Sequence, residues 1–249
     1  MAGANAELLE RVASDLVLQS VQVPAGARLI VVGDIHGCYD ELVELLARVA
    51  PADGDVVVSV GDVVRKGPAA ARCLDLWRER GYLAVRGNNE LKLLRKAKPL
   101  LRYFVRDARD VARRGDLLEY IASWPLVLDF PEQNAAVVHG GFLPRMSVAE
   151  EDVERERDVV HRLRWIRKSN GAWTYVPKDE QKSGDVLWAE KWRGPRFVLY
   201  GHTPVRKPKF DRFALGLDTG CVYGGALTAA MLAEGEWSTV SVRAQGARR

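Results

Sequence analysis

The sequence predicts a layered α/β fold, and three observations carry that prediction. Two β-branched runs, Arg28-Leu-Ile-Val-Val-Gly and Asp55-Val-Val-Val-Ser-Val, have the continuous apolar character of strands buried on both faces. A segment with helical apolar spacing follows each run, so strands and helices alternate. Short motifs of Gly, Asp, Asn and His recur just past the ends of the apolar runs, where open α/β sheets build their sites.

Along the chain, residues 7–19 read as a short amphipathic helix ended by Pro24 and Gly26. Residues 28–33 form the first buried strand. A helix then starts at Asp40, with Leu42, Val43, Leu45, Leu46 and Val49 as its apolar face. Residues 55–60 form the next strand. Pro68 suits the first turn of a helix that runs to about Arg80. A third strand covers residues 82–86. Residues 90–122 read as a helical cap insertion rich in base (Lys92, Arg95, Lys96, Lys98, Arg102, Arg106, Arg109, Arg113 and Arg114) and broken near Pro99. Ala135–Val138 and Phe197–Tyr200 are further strands. Between them, residues 145–192 read as an irregular, charged rim in which Trp165, Trp173, Trp188 and Trp192 serve packing. Residues 214–218, 226–232 and 238–243 complete the strands, and residues 1–249 read as one domain.

Composition excludes several classes. No run of about 18 apolar residues occurs, so no membrane span is expected. Glu7 and Glu10 stand where a secretory signal would be uncharged, and the expected location is the cytoplasm. Cys38, Cys73 and Cys221 are scattered with no C-x-x-C pair. Their spacing predicts three reduced thiols rather than a zinc-thiolate site or a disulfide framework. The net charge of +4 suits polyanionic substrates without requiring them.

The chemistry lies in motifs spread in a fixed order: Gly33-Asp34-Ile35-His36-Gly37, Gly61-Asp62, Gly87-Asn88-Asn89-Glu90, His139-Gly140-Gly141 and Gly201-His202-Thr203-Pro204. They supply enough carboxylate, imidazole and amide donors for two adjacent divalent ions. Asp34 and His36 are expected to bind one ion, and Asn88, His139 and His202 the other, with Asp62 as the bridge. This mixed donor set favours manganese, with cobalt, iron or zinc as alternatives, over calcium. Such a pair of ions activates a shared water for in-line attack on phosphorus.

In these motifs the chain resembles the calcineurin-type metallophosphoesterases of the phosphoprotein-phosphatase branch, over about Arg28 to Val242. Three stretches resemble diadenosine tetraphosphatases and ApaH-like phosphatases more narrowly. They are Gly33-Asp-Ile-His-Gly-Cys-Tyr-Asp-Glu-Leu, Gly61-Asp-Val-Val-Arg-Lys-Gly-Pro and Gly216-Leu-Asp-Thr-Gly-Cys-Val-Tyr-Gly-Gly-Ala-Leu-Thr-Ala. The resemblance implies a four-layer α/β/β/α sandwich with a helical cap over the metal edge. It also implies metal-dependent hydrolysis of the phosphoanhydride in dinucleoside polyphosphates, diadenosine tetraphosphate giving two ADP. Lys66 stands where protein phosphatases carry Arg and is expected to neutralise a phosphate oxygen.

Two departures matter. Arg65 occupies the place where protein phosphatases have an Asp that orients the catalytic His, a feature that argues against a protein phosphatase. Asn89 occupies the place of that His, the expected general acid. An amide donates a hydrogen bond but gives up no proton near neutral pH, and general acid catalysis is worth about 100- to 10,000-fold. The chain is therefore expected to be an impaired enzyme, either naturally weakened or a His→Asn variant that keeps its substrate intact. On the substrate side, Arg162, Arg164 and Arg167 are candidates for gripping a polyphosphate, and Tyr223 for stacking on a base. Inorganic polyphosphate, an RNA 5′ cap, a phosphoprotein, or ligand binding without turnover are the alternatives.

Overall fold

A computed structural model describes residues 16–96 and 108–246. Its strands are β1 (Leu18–Ser20), β2 (Leu29–Val32), β3 (Val56–Ser59), β4 (Leu83–Ala84), β5 (Val127–Phe130), β6 (Ala135–Val138) and β7 (Trp165–Ser169). They continue as β8 (Ala172–Val176), β9 (Val186–Leu187), β10 (Phe197–Tyr200), β11 (Lys209–Asp211), β12 (Ala214–Gly216), β13 (Ala226–Ala233) and β14 (Glu236–Arg243). One sheet has the order β14-β13-β2-β3-β4, and a second has β1-β5-β6-β10-β12-β11.

Strand periodicity explains how the two sheets stack, because alternate residues face opposite sides. Leu29 and Val31 of β2 point into a cluster shared with Val137 of β6 and Leu199 of β10. Ile30 and Val32 point the other way, into a cluster with the helices. Val198 and Tyr200 of β10 likewise face a third cluster on the outer side of their own sheet. Every residue of β2 and β6 is buried, as the continuous apolar runs require.

The helices complete the layers. They are α1 (Tyr39–Val49), α2 (Ala70–Glu79), α3 (Asn88–Lys96), α4 (Arg109–Ala112), α5 (Gly115–Ala122), α6 (Glu150–Arg155) and α7 (Arg157–Val160). Helices α1 to α5 cover the outer face of the first sheet. Helices α6 and α7, with a small antiparallel sheet ordered β8-β7-β9, cover the second. The result is the expected sandwich, its fourth layer being mixed rather than purely helical.

Four local expectations need correction. Residues 18–20 form a strand and not the end of a helix, because they pair in parallel with Val127, Leu128 and Asp129; residues 7–15 of that expected helix lie outside the described residues. Val43 is 43% exposed, since it sits a quarter-turn from the stripe of Leu42, Leu45 and Val49. Residues 145–192 are ordered as two short helices and the three-stranded sheet. Finally, α4 and α5 pack on α2 within the core, so the described part of the cap that reaches the metal edge is α3. Pro99, Lys98, Arg102 and Arg106 lie outside the described residues.

The parallel strands place the motifs. β2, β3 and β4 run in one direction, so Asp34, Asp62 and Asn88 follow their C-terminal ends together. β6, β10 and β12 are likewise parallel, and they deliver His139, His202 and Asp218.

Candidate metal centre

The loops after β2 and β3 are locked to one another through the backbone. His36 N–H donates to the Asp62 carbonyl at 2.8 Å, and Gly37 N–H to the Val63 carbonyl at 2.9 Å. Glu90, in the first turn of α3, is fully buried and accepts from the N–H groups of Asp62, Val64 and Gly87 at 2.9, 3.0 and 2.9 Å. Burial, and then the nearby Asp62 carboxylate, push its carboxyl up to about 7. Two glycines leave room for carboxylates. A Cβ on Gly87 would lie 2.4 Å from Asp62 Oδ1, and one on Gly201 only 2.1 Å from Asp34 Oδ1. His36, Asp62 and His202 hold φ values of 47°, 52° and 63°, a region that side-chain-bearing residues occupy only under constraint.

Asp62 sits between two imidazoles. His36 Nε2 is 3.5 Å from its Oδ2 and His139 Nε2 is 3.4 Å from its Oδ1. Asp34, His36 and Asp62 offer donor atoms within 4.8 Å of one another. His139 Nε2 also lies 3.1 Å from Asn88 Oδ1, and the His139 and His202 rings are 5.0 Å apart. His202 N–H faces the Asp34 carboxylate at 3.2 Å. The structure thus brings together all six residues expected as ligands.

The electrostatics fit divalent ions. The Nδ1 atoms of His36 and His139 face the carbonyls of Val64 and Val60 at 3.2 and 2.8 Å. Those contacts favour the proton on Nδ1. The Nε2 lone pair of His139 then faces the oxygens of Asp62 and Asn88, an arrangement that a cation would relieve, while that of His36 meets the Lys66 ammonium where a cation would sit. Burial holds His36 down at about 4 and also lowers His139 and His202, so all three are neutral and ready to ligate. Burial, then Asp218 and Asp62, push Asp34 well above the usual carboxylate range. Burial also acts to raise Asp62, but His139, His36 and the Asn89 N–H outweigh it and hold that carboxyl low. Lys66 Nζ lies 2.7 Å from His36 Nε2.

Asn89 is committed to Asp62. Its backbone N–H donates to Oδ1 at 2.9 Å and its side-chain amide to Oδ2 at 2.5 Å, while its Oδ1 accepts from Arg65 at 3.3 Å.

A cleft of about 480 Å³ opens from this cluster. Asp34, Asp62, Asn88, Asn89 and His202 line its floor, and Lys66, Lys92, Arg95, Arg162 and Arg164 line its sides. Arg164 donates to the His202 carbonyl at 2.5 Å, and its buried Nε has no acceptor among the described residues. Tyr223 is 57% exposed and lies beneath Lys66 Nζ at 5.2 Å. Arg162 lies over Tyr175, 5.5 Å from the ring centre.

Arg167 is the one expected site residue that the fold takes elsewhere. It binds Asp185 through two 2.8 Å contacts and does not line the cleft; on β7 its side chain falls on the face opposite Ile166. Trp165, Tyr175, Pro177 and Lys178 do line the cleft. Sequence reading left Tyr175, Pro177 and Lys178 out, since a hairpin wall carries no motif. Trp188 and Trp192 are core residues rather than rim.

A family model for calcineurin-like phosphoesterases matches residues 27–230. The chain is 29% identical over 244 residues to the asymmetrical bis(5'-nucleosyl)-tetraphosphatase PrpE of Halalkalibacterium halodurans, spanning 86% of this chain and 93% of that protein. It is 30% identical over 263 residues to the symmetrical bis(5'-nucleosyl)-tetraphosphatase of Chromohalobacter salexigens, spanning 83% and 95%. Among solved structures, one assigned provisionally as a diadenosine tetraphosphatase is 32% identical with a TM-score of 0.79, spanning 92% of this chain and 99% of that one. With its fold, its clustered donors and these likenesses, the chain belongs to the calcineurin-like phosphoesterase family of metal-dependent hydrolases.

Proposed function

We propose that this protein hydrolyses the phosphoanhydride chain of dinucleoside polyphosphates, with diadenosine tetraphosphate as the reference substrate. The observation that carries the proposal is one continuous cleft joining the donor cluster to six cationic side chains and to three aromatic residues, Trp165, Tyr175 and Tyr223. A polyphosphate flanked by bases needs that combination of charge and flat apolar surface. The names of the relatives support the same substrate class.

Asp34, His36 and Asp62 would hold one divalent ion and Asn88, His139 and His202 a second, sharing Asp62, with manganese the first choice. Such ions supply Lewis-acid polarisation of phosphorus and a nucleophilic water at neutral pH. Lys66, Arg162 and Arg164 bind phosphate oxygens, and the Arg164 Nε–H is the donor left for them to occupy. Asn89 orients Asp62 and has no proton to give the leaving oxygen. The site therefore depends on leaving groups that depart as stable anions, such as a nucleotide, and is poor with alkyl esters.

The test pairs this chain with Asn89→His, both supplied with manganese and diadenosine tetraphosphate, and resolves ADP, AMP and ATP. A rise of about a hundredfold in the Asn89→His variant, with ADP as sole product, would establish an impaired symmetrical enzyme. ATP with AMP would move the cut to the asymmetrical position, a real alternative since both names occur among the relatives. Binding without turnover by either protein would overturn the proposal in favour of a nucleotide-binding role.

A further inference from the structure

A second group of metal-type donors lies outside the phosphate site. Cys38, Glu41 and Cys221 place two sulfur atoms and a carboxylate oxygen within 4.8 Å of one another. All three residues are buried, with exposures of 0%, 1% and 2%. Cys38 directly precedes α1, two residues after His36, and Glu41 lies in the first turn of that helix. Cys221 lies three residues after Asp218, in the turn before β13. Glu41 also accepts from the backbone N–H of Gln245 at 3.2 Å, which ties the cluster to the chain beyond β14.

The donor set is selective. Thiolate sulfur favours zinc and its borderline neighbours over manganese, magnesium or calcium. Structural zinc is tetrahedral, with sulfur at about 2.3 Å and carboxylate oxygen at about 2.0–2.2 Å, so neighbouring donors of one ion stand roughly 3.5–3.8 Å apart. The three donors lie within 4.8 Å of one another and would draw together by about 1 Å to close on an ion. They fill three of zinc's four positions and leave the fourth to a backbone carbonyl or a water. Full burial keeps the ion from exchanging freely with solvent.

We propose that Cys38, Glu41 and Cys221 form a third metal site, structural in role and selective for a zinc-class divalent ion. An ion there joins the loop carrying Asp34 and His36 to the loop carrying Asp218. Because the unfolded chain does not assemble these donors, the binding energy adds to the stability of the fold.

The site is separable by spectroscopy from the phosphate centre, whose candidate ligands are all oxygen and nitrogen. The full chain is stripped with a chelator, reloaded with cobalt(II), and assayed for metal content and near-ultraviolet absorption. A thiolate-to-cobalt charge-transfer band is expected. Cys38→Ser and Cys221→Ser each lose that band and one cobalt per chain, while Cys73→Ser keeps both. Glu41→Gln, nearly the same in shape, guards against misfolding of the serine variants and is expected to weaken binding of the thiolate-linked cobalt alone. The same cobalt content in all variants with no thiolate band would overturn the site. So would a thiol titration of the denatured chain that finds one titratable thiol instead of three, which would mean a Cys38–Cys221 disulfide.

Discussion

Asn89 spends its hydrogen-bonding groups on Asp62 and Arg65, which supports the proposed positional role. Leaving-group dependence is the observable that follows. Across a series of phosphoryl compounds, the rate should fall steeply as the leaving group becomes more basic, and Asn89→His should flatten that slope. An equal gain for every leaving group would mean that the histidine acts by positioning and not as an acid. His161, buried and facing the Arg157 carbonyl at 2.8 Å, offers a test of pH dependence. Burial lowers it from 6.5 to about 4. Between those values the unfolded chain binds a proton that the folded chain refuses, so its contribution to stability is complete above about pH 6.5 and is lost as pH falls toward 4. Urea midpoints at pH 7.5 and 5 should therefore converge in His161→Gln relative to the parent; an unchanged gap would assign the acid sensitivity to other groups.

Among the secondary-structure elements, the start of α3 does more than offer Asn88. Its Glu90 side chain takes up backbone N–H groups from two different strand-end loops. Glu90→Ala leaves three buried donors without that acceptor, at about 1–3 kcal/mol each before relaxation. A loss of roughly 3 kcal/mol in urea unfolding is expected, with weaker manganese binding because Asp62 loses its support. Gly201 sets the spacing between β10 and Asp34. In Gly201→Ala the added carbon meets Asp34 Oδ1, and the expected result is a folded protein with reduced metal affinity, read by calorimetric titration. These glycine and glutamate positions were visible in the motifs. Their purpose was not, since it depends on atoms from a second loop.

Across the protein as a whole, the cleft concentrates positive charge in one place although the net charge is only +4. Long-range attraction of a polyanion falls with salt, since the Debye length shortens from about 10 Å at 0.1 M to about 3 Å at 1 M. The KM for a dinucleoside tetraphosphate should rise over that range. Arg164→Ala should raise KM at low salt and reduce the salt dependence. Arg167→Ala should leave both unchanged, because Arg167 is tied to Asp185 away from the cleft. An effect of Arg167 equal to that of Arg164 would contradict the cleft as drawn.

The layered sheets and the donor cluster are legible in the order of residues alone. Runs such as Leu29–Val32, short and β-branched, read as buried strands, and parallel strands end on the same side, so motifs at their ends converge. Side chains whose destination depends on a partner distant in sequence take their places only on folding. Residues 18–20 became a strand because β5 offered an edge, and Arg167 left the site because it pairs with Asp185. Cys38 and Cys221 form no local motif, and their spacing argued against a shared ion. Only the docking of the turn before β13 against the start of α1 brings their sulfur atoms together, because periodicity fixes which face a residue occupies but not what that face will meet.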